Sequence, residues 1–367
     1  MFKLFPTRNK VLFISRQSDR PSYDFVRLAR ELQQRDPDIE IHTLCKFMRE
    51  SAFGRIAYTP ELVRQMFHLA TSRVCIVDGY VIPVCMLHHR NGLFIIQIWH
   101  ALGAIKRFGY QSVGLPDGRS AALAKAMRMH RNYDAILCGS DSMVPVFAEA
   151  FDADPSIVLP LGLPRVDYLL ECVSDQPPQR HQAAVKRLQE RFPRLGDSTK
   201  KRVLYAPTYR RRRKSILPEA LRSFGAEDCT LIVKLHDLES HVMSGDNVVD
   251  ATGMSVLDLL PLADLVITDY SAVAFEACVL GKPLFYYIPD IDEYVCENGL
   301  NLNPLVDVPN VSSTDASKVA EWIRTGSHDA DARRSLAVYP GCSSTSDCTS
   351  RITDLVMTHM GDKDNDG

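Results

Sequence analysis

His100 is the first residue whose type and position could do chemistry. It directly follows the apolar run Leu93–Trp99, and Gly103 comes three residues later, where it allows a sharp turn. A histidine at a strand end can act as a general base near neutral pH. A structural histidine that closes the end of a strand would show the same pattern, and position alone does not separate these interpretations.

Two further motifs carry cationic groups, one at a turn and one at a predicted strand end. In Gly162–Arg165 the arginine could pair with a phosphate through its planar guanidinium, or with Asp167 across a domain boundary. Alternation along a strand puts Lys234 and His236 on one face, an arrangement that suits a pyrophosphate. The other interpretation of that pair is a surface lysine and a buried imidazole.

The segment Tyr205–Arg210 carries a hydroxyl and a charge beside a proline-fixed bend. Thr208 supplies the hydroxyl, Arg210 the charge, and Pro207 the bend. The basic run that follows, Arg211–Lys214, is either a solvated loop face or a patch that could hold anionic lipid or polymer.

The most specific pattern lies in Ala263–Ala277, where an apolar strand ends at Thr268–Asp269. Ser271 is predicted to be the N-cap of the helix that follows. Free backbone N–H groups there would bind a nucleotide phosphate, and Glu276 could accept hydrogen bonds from ribose hydroxyls. A well-capped crossover helix in any Rossmann-like domain would give the same pattern.

These motifs sit in an alternation of strands and helices. Continuous apolar runs such as Val74–Val77, separated by amphipathic helices such as Tyr23–Gln34, predict parallel sheets covered on both faces. Ligands of such sheets collect at the carboxyl ends of the strands, which is where the candidate residues lie.

The chain is predicted to fold as two domains. A proline-containing stretch without apolar periodicity, Val173–His181, reads as the interdomain linker. We therefore expect an α/β protein with two Rossmann-like domains, residues 1–172 and 173–357, whose parallel sheets face a central cleft. The acidic residues 358–367 are expected to be a disordered tail.

Net charge, cysteine spacing and the acidic residues indicate which partners and cofactors to expect. A formal net charge of −2 does not suggest a nucleic-acid binder, so no nucleic-acid partner is expected. The ten cysteines form no Cys-x-x-Cys pair, and Cys75, Cys85 and Cys138 in apolar runs read as buried free thiols. No acidic metal-binding cluster stands out, so we expect a reaction without a metal or other cofactor.

The sequence also bears on location. The N-terminus lacks the apolar core of a signal peptide, and the longest apolar region, Val74–Leu87, is too short and too interrupted to span a bilayer. We expect a cytoplasmic protein, either free or attached to the inner face of the cell membrane.

Together the five motifs resemble those of the CDP-glycerol glycerophosphotransferase family, the primases and polymerases of teichoic acid and related capsule polymers. The resemblance covers roughly Val11 to Tyr294. The sequence departs from the family pattern at four positions: Ala101 and Leu102 stand in place of Gly-Thr, Tyr209 in place of tryptophan, and Ala272 in place of a second serine. Contacts with the CDP-activated donor at Ala101, Leu102 and Ala272 would therefore come from the backbone.

The resemblance implies a GT-B-like fold and a reaction. His100 would deprotonate the acceptor hydroxyl, which attacks the β-phosphorus of CDP-glycerol or CDP-ribitol and releases CMP. The acceptor would be a lipid-linked or polymeric polyol phosphate. His236 is assigned with His100 to catalysis, and the residues assigned to substrate binding are Trp99, Ala101, Leu102, Gly103, Arg165, Pro207, Thr208, Arg210, Lys234, Leu235, Thr268, Asp269, Ser271, Ala272 and Glu276.

Two alternatives stay open at this point. One is a nucleotide-sugar glycosyltransferase or epimerase, because such enzymes also place a helix and an acidic residue after a strand. The other is a non-catalytic polymer-binding homologue that keeps the fold.

Overall fold

Two parallel sheets organise the chain, and each belongs to a separate structural unit. The computed structural model describes residues 2–48, 51–197, 199–210, 217–222, 229–235, 247–335 and 346–361. Unit 1 contains the described parts of 1–102, 108–167 and 345–367, and unit 2 contains those of 103–107 and 168–344.

The strands are short and mostly buried on both faces, as continuous apolar runs predict. In chain order they are β1 (Lys10–Ser15), β2 (Glu40–Cys45), β3 (Val74–Val77), β4 (Phe94–Gln97), β5 (Ala135–Leu137), β6 (Val158–Leu159), β7 (Lys201–Tyr205), β8 (Cys229–Val233), β9 (Val248–Asp250), β10 (Leu265–Thr268), β11 (Leu284–Tyr287) and β12 (Ser312–Ser313).

The helices connect and cover these strands. They are α1 (Tyr23–Arg35), α2 (Ala52–Ala57), α3 (Thr59–Thr71), α4 (Ile82–Met86), α5 (Ala121–Ala126), α6 (Val144–Phe151), α7 (Pro164–Cys172), α8 (Gln179–Arg191), α9 (Glu219–Arg222), α10 (Val256–Leu259), α11 (Val273–Val279), α12 (Ile291–Asn298), α13 (Pro304–Asp307), α14 (Ala316–Thr325), α15 (Asp329–Arg334) and α16 (Cys348–Gly361).

Both sheets have a topological switch point, where the chain reverses the direction in which it adds strands. The described strands of unit 1 lie in the order β2-β1-β3-β4-β5-β6, so the reversal falls between β1 and β3. In unit 2 the order is β12-β11-β10-β7-β8-β9, and the reversal falls between β7 and β10. Loops diverge to opposite sides there and leave a crevice at the carboxyl edge of the sheet.

The C-terminal helix α16 belongs to unit 1, although it follows unit 2 in the sequence. The buried carboxylate of Asp167 accepts the backbone N–H groups of Cys348 and Thr349, at 3.0 and 2.8 Å, and so caps the start of α16. At its far end the ring of His359 stacks on Phe94 with 3.5 Å between centroids. The units are therefore not consecutive halves, although the break at 167/168 lies close to the expected one at 172/173.

The strands and helices that the periodicity predicts are present, with small shifts at their ends, whereas α8 begins at Gln179, inside the predicted linker Val173–His181. The edge strands β6, β9 and β12, of two or three residues, were not predicted, because so few residues show no pattern. Helix α16 continues to Gly361, so 358–361 are helical rather than disordered, and 362–367 lie outside the described residues. Cys75, Cys85 and Cys138 are buried free thiols, as predicted.

Among the described residues, no helix is long and apolar enough to cross a membrane.

Candidate functional site

In unit 1, His100 lies exposed just beyond the carboxyl end of β4. Its ring atom Nδ1 lies 3.1 Å from the backbone carbonyl oxygen of Asp78, which follows the neighbouring strand β3. A carbonyl can only accept, so this bond fixes the neutral tautomer with its proton on Nδ1. Nε2 then carries the lone pair that a general base needs.

The residue before His100 has an unusual backbone. Trp99 has a φ of 54°, in the left-handed region that bulky residues rarely adopt. Its N–H donates to Oε1 of Gln97 at 2.9 Å, and its ring stacks on Phe108 with 5.0 Å between centroids. These contacts hold a conformation that turns the chain at His100, and such strain is commonly found at functional sites. The backbone role of Trp99 was not foreseen from the sequence.

Arg165 also contacts the loop that carries His100. Its guanidinium forms a buried ion pair with Asp24 of α1, with Nη2 2.5 Å from Oδ2, and the two side chains are 14% and 2% exposed. Its Nη1 donates to the backbone carbonyl of His100 at 2.9 Å. Arg165 thus pairs with Asp24, while Asp167, the partner weighed from the sequence, caps α16. Asp24 carries no sequence signal, because it lies in an ordinary first helical turn.

Asp78 adds a buried carboxyl group to this part of unit 1. Only 4% of the residue is exposed, and its Oδ1 has no hydrogen-bond partner among the described residues. Burial raises the pKa of Asp78 to about 7, with a further contribution from the charge of Asp24, against a hydrogen bond from Ser15 that lowers it. The carbonyl that orients His100 therefore belongs to a residue whose side chain changes charge near neutral pH.

In unit 2, Asp269 joins two of the predicted motifs at the switch point between β7 and β10. Its Oδ1 accepts the N–H and the hydroxyl of Thr208, at 2.8 and 2.7 Å, and the N–H of Tyr270 at 2.6 Å. Its Oδ2 pairs with Nη1 of Arg210 at 2.8 Å. The side chain is 3% exposed, so this carboxylate organises the loops from beneath.

Arg210 is held on two sides. Asp290 binds its Nε and Nη2 at 2.6 and 3.0 Å, and the guanidinium lies 5.6–5.7 Å from the stacked rings of Tyr270 and Tyr294. Burial opposes the charge of Arg210, but the hydrogen bonds and charges of Asp290 and Asp269 outweigh it and raise its pKa. Sequence reasoning missed Asp290 and Tyr294, which only the fold brings to this arginine.

The remaining predicted residues of unit 2 are placed as follows. The Thr268 hydroxyl donates to the Ala206 carbonyl at 2.8 Å, and Lys234 Nζ donates to the Leu235 carbonyl at 2.8 Å. Pro207 is half-buried beside these loops, and Glu276 is 4% exposed within α11. His236 and Arg211–Lys214 lie outside the described residues.

Two local predictions were wrong. Helix α11 begins at Val273 with Ala272 as N-cap, so Ser271 lies one residue early, although its Oγ accepts the Val273 N–H at 3.4 Å. Position 103 does not require glycine for a sharp turn, since its φ is not positive. It requires glycine because the backbone lies close to Phe275, and a Cβ there would be 2.3 Å from the ring. Neighbouring Ala101 and Leu102 are buried.

The chain matches the model of the family CDP-Glycerol:Poly(glycerophosphate) glycerophosphotransferase over residues 1–347. It belongs to this family. The predicted family and the predicted class of enzyme are therefore confirmed.

Among its relatives is the teichoic acid ribitol-phosphate primase of Bacillus spizizenii, which is 34% identical over 90% of this chain and 86% of its own length. The teichoic acid glycerol-phosphate primase of Bacillus subtilis is 30% identical over 72% of this chain and 68% of its own length. A solved structure of the wall teichoic acid polymerase TagF is 20% identical and superposes with a TM-score of 0.74, covering 98% of this chain and 90% of that one. This likeness confirms the predicted α/β, GT-B-like fold.

The raised pKa of Asp78 predicts a pH-dependent stability. The folded state binds a proton on Asp78 more tightly than the unfolded chain does, so this group stabilises the fold below about pH 4 and loses that contribution as pH rises towards 7. Asp78→Asn keeps the backbone carbonyl that holds His100 and removes the titration. Between pH 5 and pH 8 the parent should lose about 2–4 kcal/mol of unfolding free energy more than the variant does.

Urea unfolding at both pH values measures this difference, with the exposed Asp141→Asn as control. Equal losses in the parent and in Asp78→Asn would show that Asp78 does not titrate in this range.

Proposed function

We propose that this protein transfers a polyol phosphate, glycerol phosphate or ribitol phosphate, from a CDP-activated donor to a hydroxyl of a lipid-linked or polymeric acceptor. CMP is the second product. The observation that carries the proposal is an exposed His100 with its tautomer fixed by the Asp78 carbonyl, in a chain of this family.

In this reaction Nε2 of His100 takes the proton of the acceptor hydroxyl. The oxygen forms a bond to the β-phosphorus of the donor, the bond from that phosphorus to the bridging oxygen breaks, and the bridging oxygen leaves on CMP. Because charge in such a transition state is spread over the phosphoryl oxygens, positioning and hydrogen-bond donors supply most of the rate. Arg165 contributes by holding the backbone carbonyl of His100, and it remains a proposed contact of the CDP-activated donor.

The donor is proposed to bind at the carboxyl edge of unit 2. Lys234, His236, Ser271 and backbone groups near Ala272 would face the phosphates, and Glu276 the ribose. Arg210 pairs with both Asp269 and Asp290, and Asp269 also accepts hydrogen bonds from Thr208 and the Tyr270 backbone. These contacts support a role for Arg210 and Asp269 in holding the loops as well as in binding the donor.

A donor screen tests this function against the two alternatives. Purified protein is incubated with CDP-ribitol, CDP-glycerol or a UDP-sugar and an acceptor bearing a free polyol hydroxyl, and CMP and UDP are separated by chromatography. We expect acceptor-dependent CMP release. The relatives named above act on ribitol phosphate and glycerol phosphate, and TagF crystals were soaked with CDPG, so both CDP donors are included. UDP release would support a nucleotide-sugar enzyme, and no release would support a non-catalytic homologue.

His100→Ala should reduce turnover by about 10²–10⁴-fold, because it removes the general base. Its donor KM should stay near that of the parent, since the base acts on the acceptor. Lys234→Ala should instead raise the donor KM, because Lys234 is proposed to bind the donor phosphates. Near-native turnover of His100→Ala at saturating acceptor would exclude His100 as the base.

We also propose that the protein works at the inner face of the cell membrane. Five basic residues, Arg210–Lys214, directly follow the Pro207–Tyr209 motif in the sequence, and each basic side chain near an anionic leaflet contributes about 1 kcal/mol, screened by salt. Replacing Arg211, Arg212 and Arg213 with Gln, while sparing Arg210, should lower co-sedimentation with anionic vesicles, and added salt should mimic the change. Identical sedimentation of parent and variant would assign this run to a solvated loop.

A further inference from the structure

Two arginines flank one tyrosine ring at the switch point of unit 1. Arg16 directly follows β1, and its guanidinium carbon lies 5.8 Å from the ring centroid of Tyr80, which follows β3. The guanidinium carbon of Arg119 lies 5.1 Å from the centroid of the same ring. The ring of Tyr58 lies 5.9 Å from Arg16. No sequence motif pointed to any of these residues.

The two charges lack the partners that other arginines of unit 1 have. Within the described residues, no carboxylate forms an ion pair with Arg16 or Arg119, whereas Arg35, Arg131 and Arg165 each pair with an aspartate. Arg16 donates from Nη1 to the Tyr80 carbonyl at 3.0 Å and from Nη2 to the weak acceptor Sδ of Met48 at 3.3 Å. Its Nε is buried without a hydrogen-bond partner in the described chain.

This arrangement has an electrostatic cost that an anion would relieve. Burial lowers the pKa of Arg16, and the charge of Arg119 lowers it further, against the nearby Tyr58. Two like charges at one ring, with a buried unpaired donor, are destabilising in isolation. A phosphate would supply the missing acceptor atoms, since the guanidinium fork matches phosphate oxygens in shape and charge.

The position of the pair connects it to the proposed base. Arg16 binds the carbonyl of Tyr80, and the carbonyl of Asp78, two residues earlier on the same loop, binds Nδ1 of His100. Two residues of chain span at most about 7 Å, so the two carbonyls that Arg16 and His100 bind lie close together after β3, and Arg119 lies at the ring of the same Tyr80. Arg16 is half-buried and fixed by its contacts, whereas Arg119 is exposed, with its guanidinium against the Tyr80 ring.

We propose that Arg16 and Arg119 bind a phosphate group of the acceptor and so hold its hydroxyl beside His100. This inference rests on the proposed function and names the part of the substrate that unit 1 recognises. The donor's phosphates are assigned to unit 2, so the two sets of anionic groups are separated between the units. Arg16 and Arg119 are binding residues and take no part in proton transfer.

The kinetic test compares Arg119→Gln and Arg16→Gln with a matched control, Arg131→Gln. Arg131 also lies over a tyrosine ring, Tyr110, but is paired with Asp152 at 2.5 Å. Loss of one charge-assisted contact should raise the acceptor KM roughly 10–100-fold in Arg119→Gln and Arg16→Gln, with the donor KM unchanged. Arg131→Gln should leave both values near those of the parent. A raised donor KM, or an unchanged acceptor KM, would overturn the inference.

A binding measurement keeps this test separate from that of the function. Inorganic pyrophosphate and glycerol 3-phosphate are titrated by calorimetry into parent and variants, with saturating CMP present to occupy the donor site. Arg119→Gln should weaken binding by a similar factor while unfolding at the parent's midpoint, and Arg16→Lys should retain part of the affinity that Arg16→Gln loses. Weakened binding in a protein that transfers nothing would sustain the anion site and refute the proposed function. Equal binding by the parent and Arg119→Gln would refute the site alone.

Discussion

The hydrogen bond from Nδ1 of His100 to the Asp78 carbonyl is the contact on which the proposed chemistry of unit 1 depends. It sets the tautomer of an exposed imidazole, because a carbonyl oxygen can only accept a hydrogen bond. Around it, Trp99 stays in a left-handed conformation and Arg165 supports the His100 carbonyl. The buried pair of Arg165 with Asp24 gives that support rigidity, because separating the two charges in a dry environment is costly.

In unit 2, a carboxylate holds the loops of the proposed site in place. Asp269 accepts hydrogen bonds from the loops after β7 and β10, so the two strand ends that border the switch point are joined by one side chain. Arg210 neutralises part of the charge that Asp269 and Asp290 bring together, and the stacked Tyr270 and Tyr294 shield it. Several residues that resemble substrate ligands in the sequence thus serve first to hold the loops in place.

The arginines of unit 1 divide according to whether a carboxylate stands beside them. Arg165 and Arg131 have their charge neutralised within the fold, by Asp24 and Asp152. Arg16 and Arg119 are held in place by tyrosine rings, which orient a guanidinium without neutralising it. A folded protein that keeps such a charge uncompensated at a crevice edge is prepared for an anionic ligand.

The sequence by itself determined the class of fold and the family. Continuous apolar runs such as Val74–Val77 fix the parallel strands, since only strands buried on both faces need them, and five motifs in order mark the family. Those motifs also locate His100 and Asp269, because each comes at the end of a continuous apolar run. The tertiary structure decided what these residues contact. Asp24, Asp290 and the pair Arg16–Arg119 reach their partners from distant parts of the chain, and the capping of α16 by Asp167 returns the C-terminus to unit 1. Such contacts are set by strand order and helix packing, and the local periodicity of the sequence does not predict them.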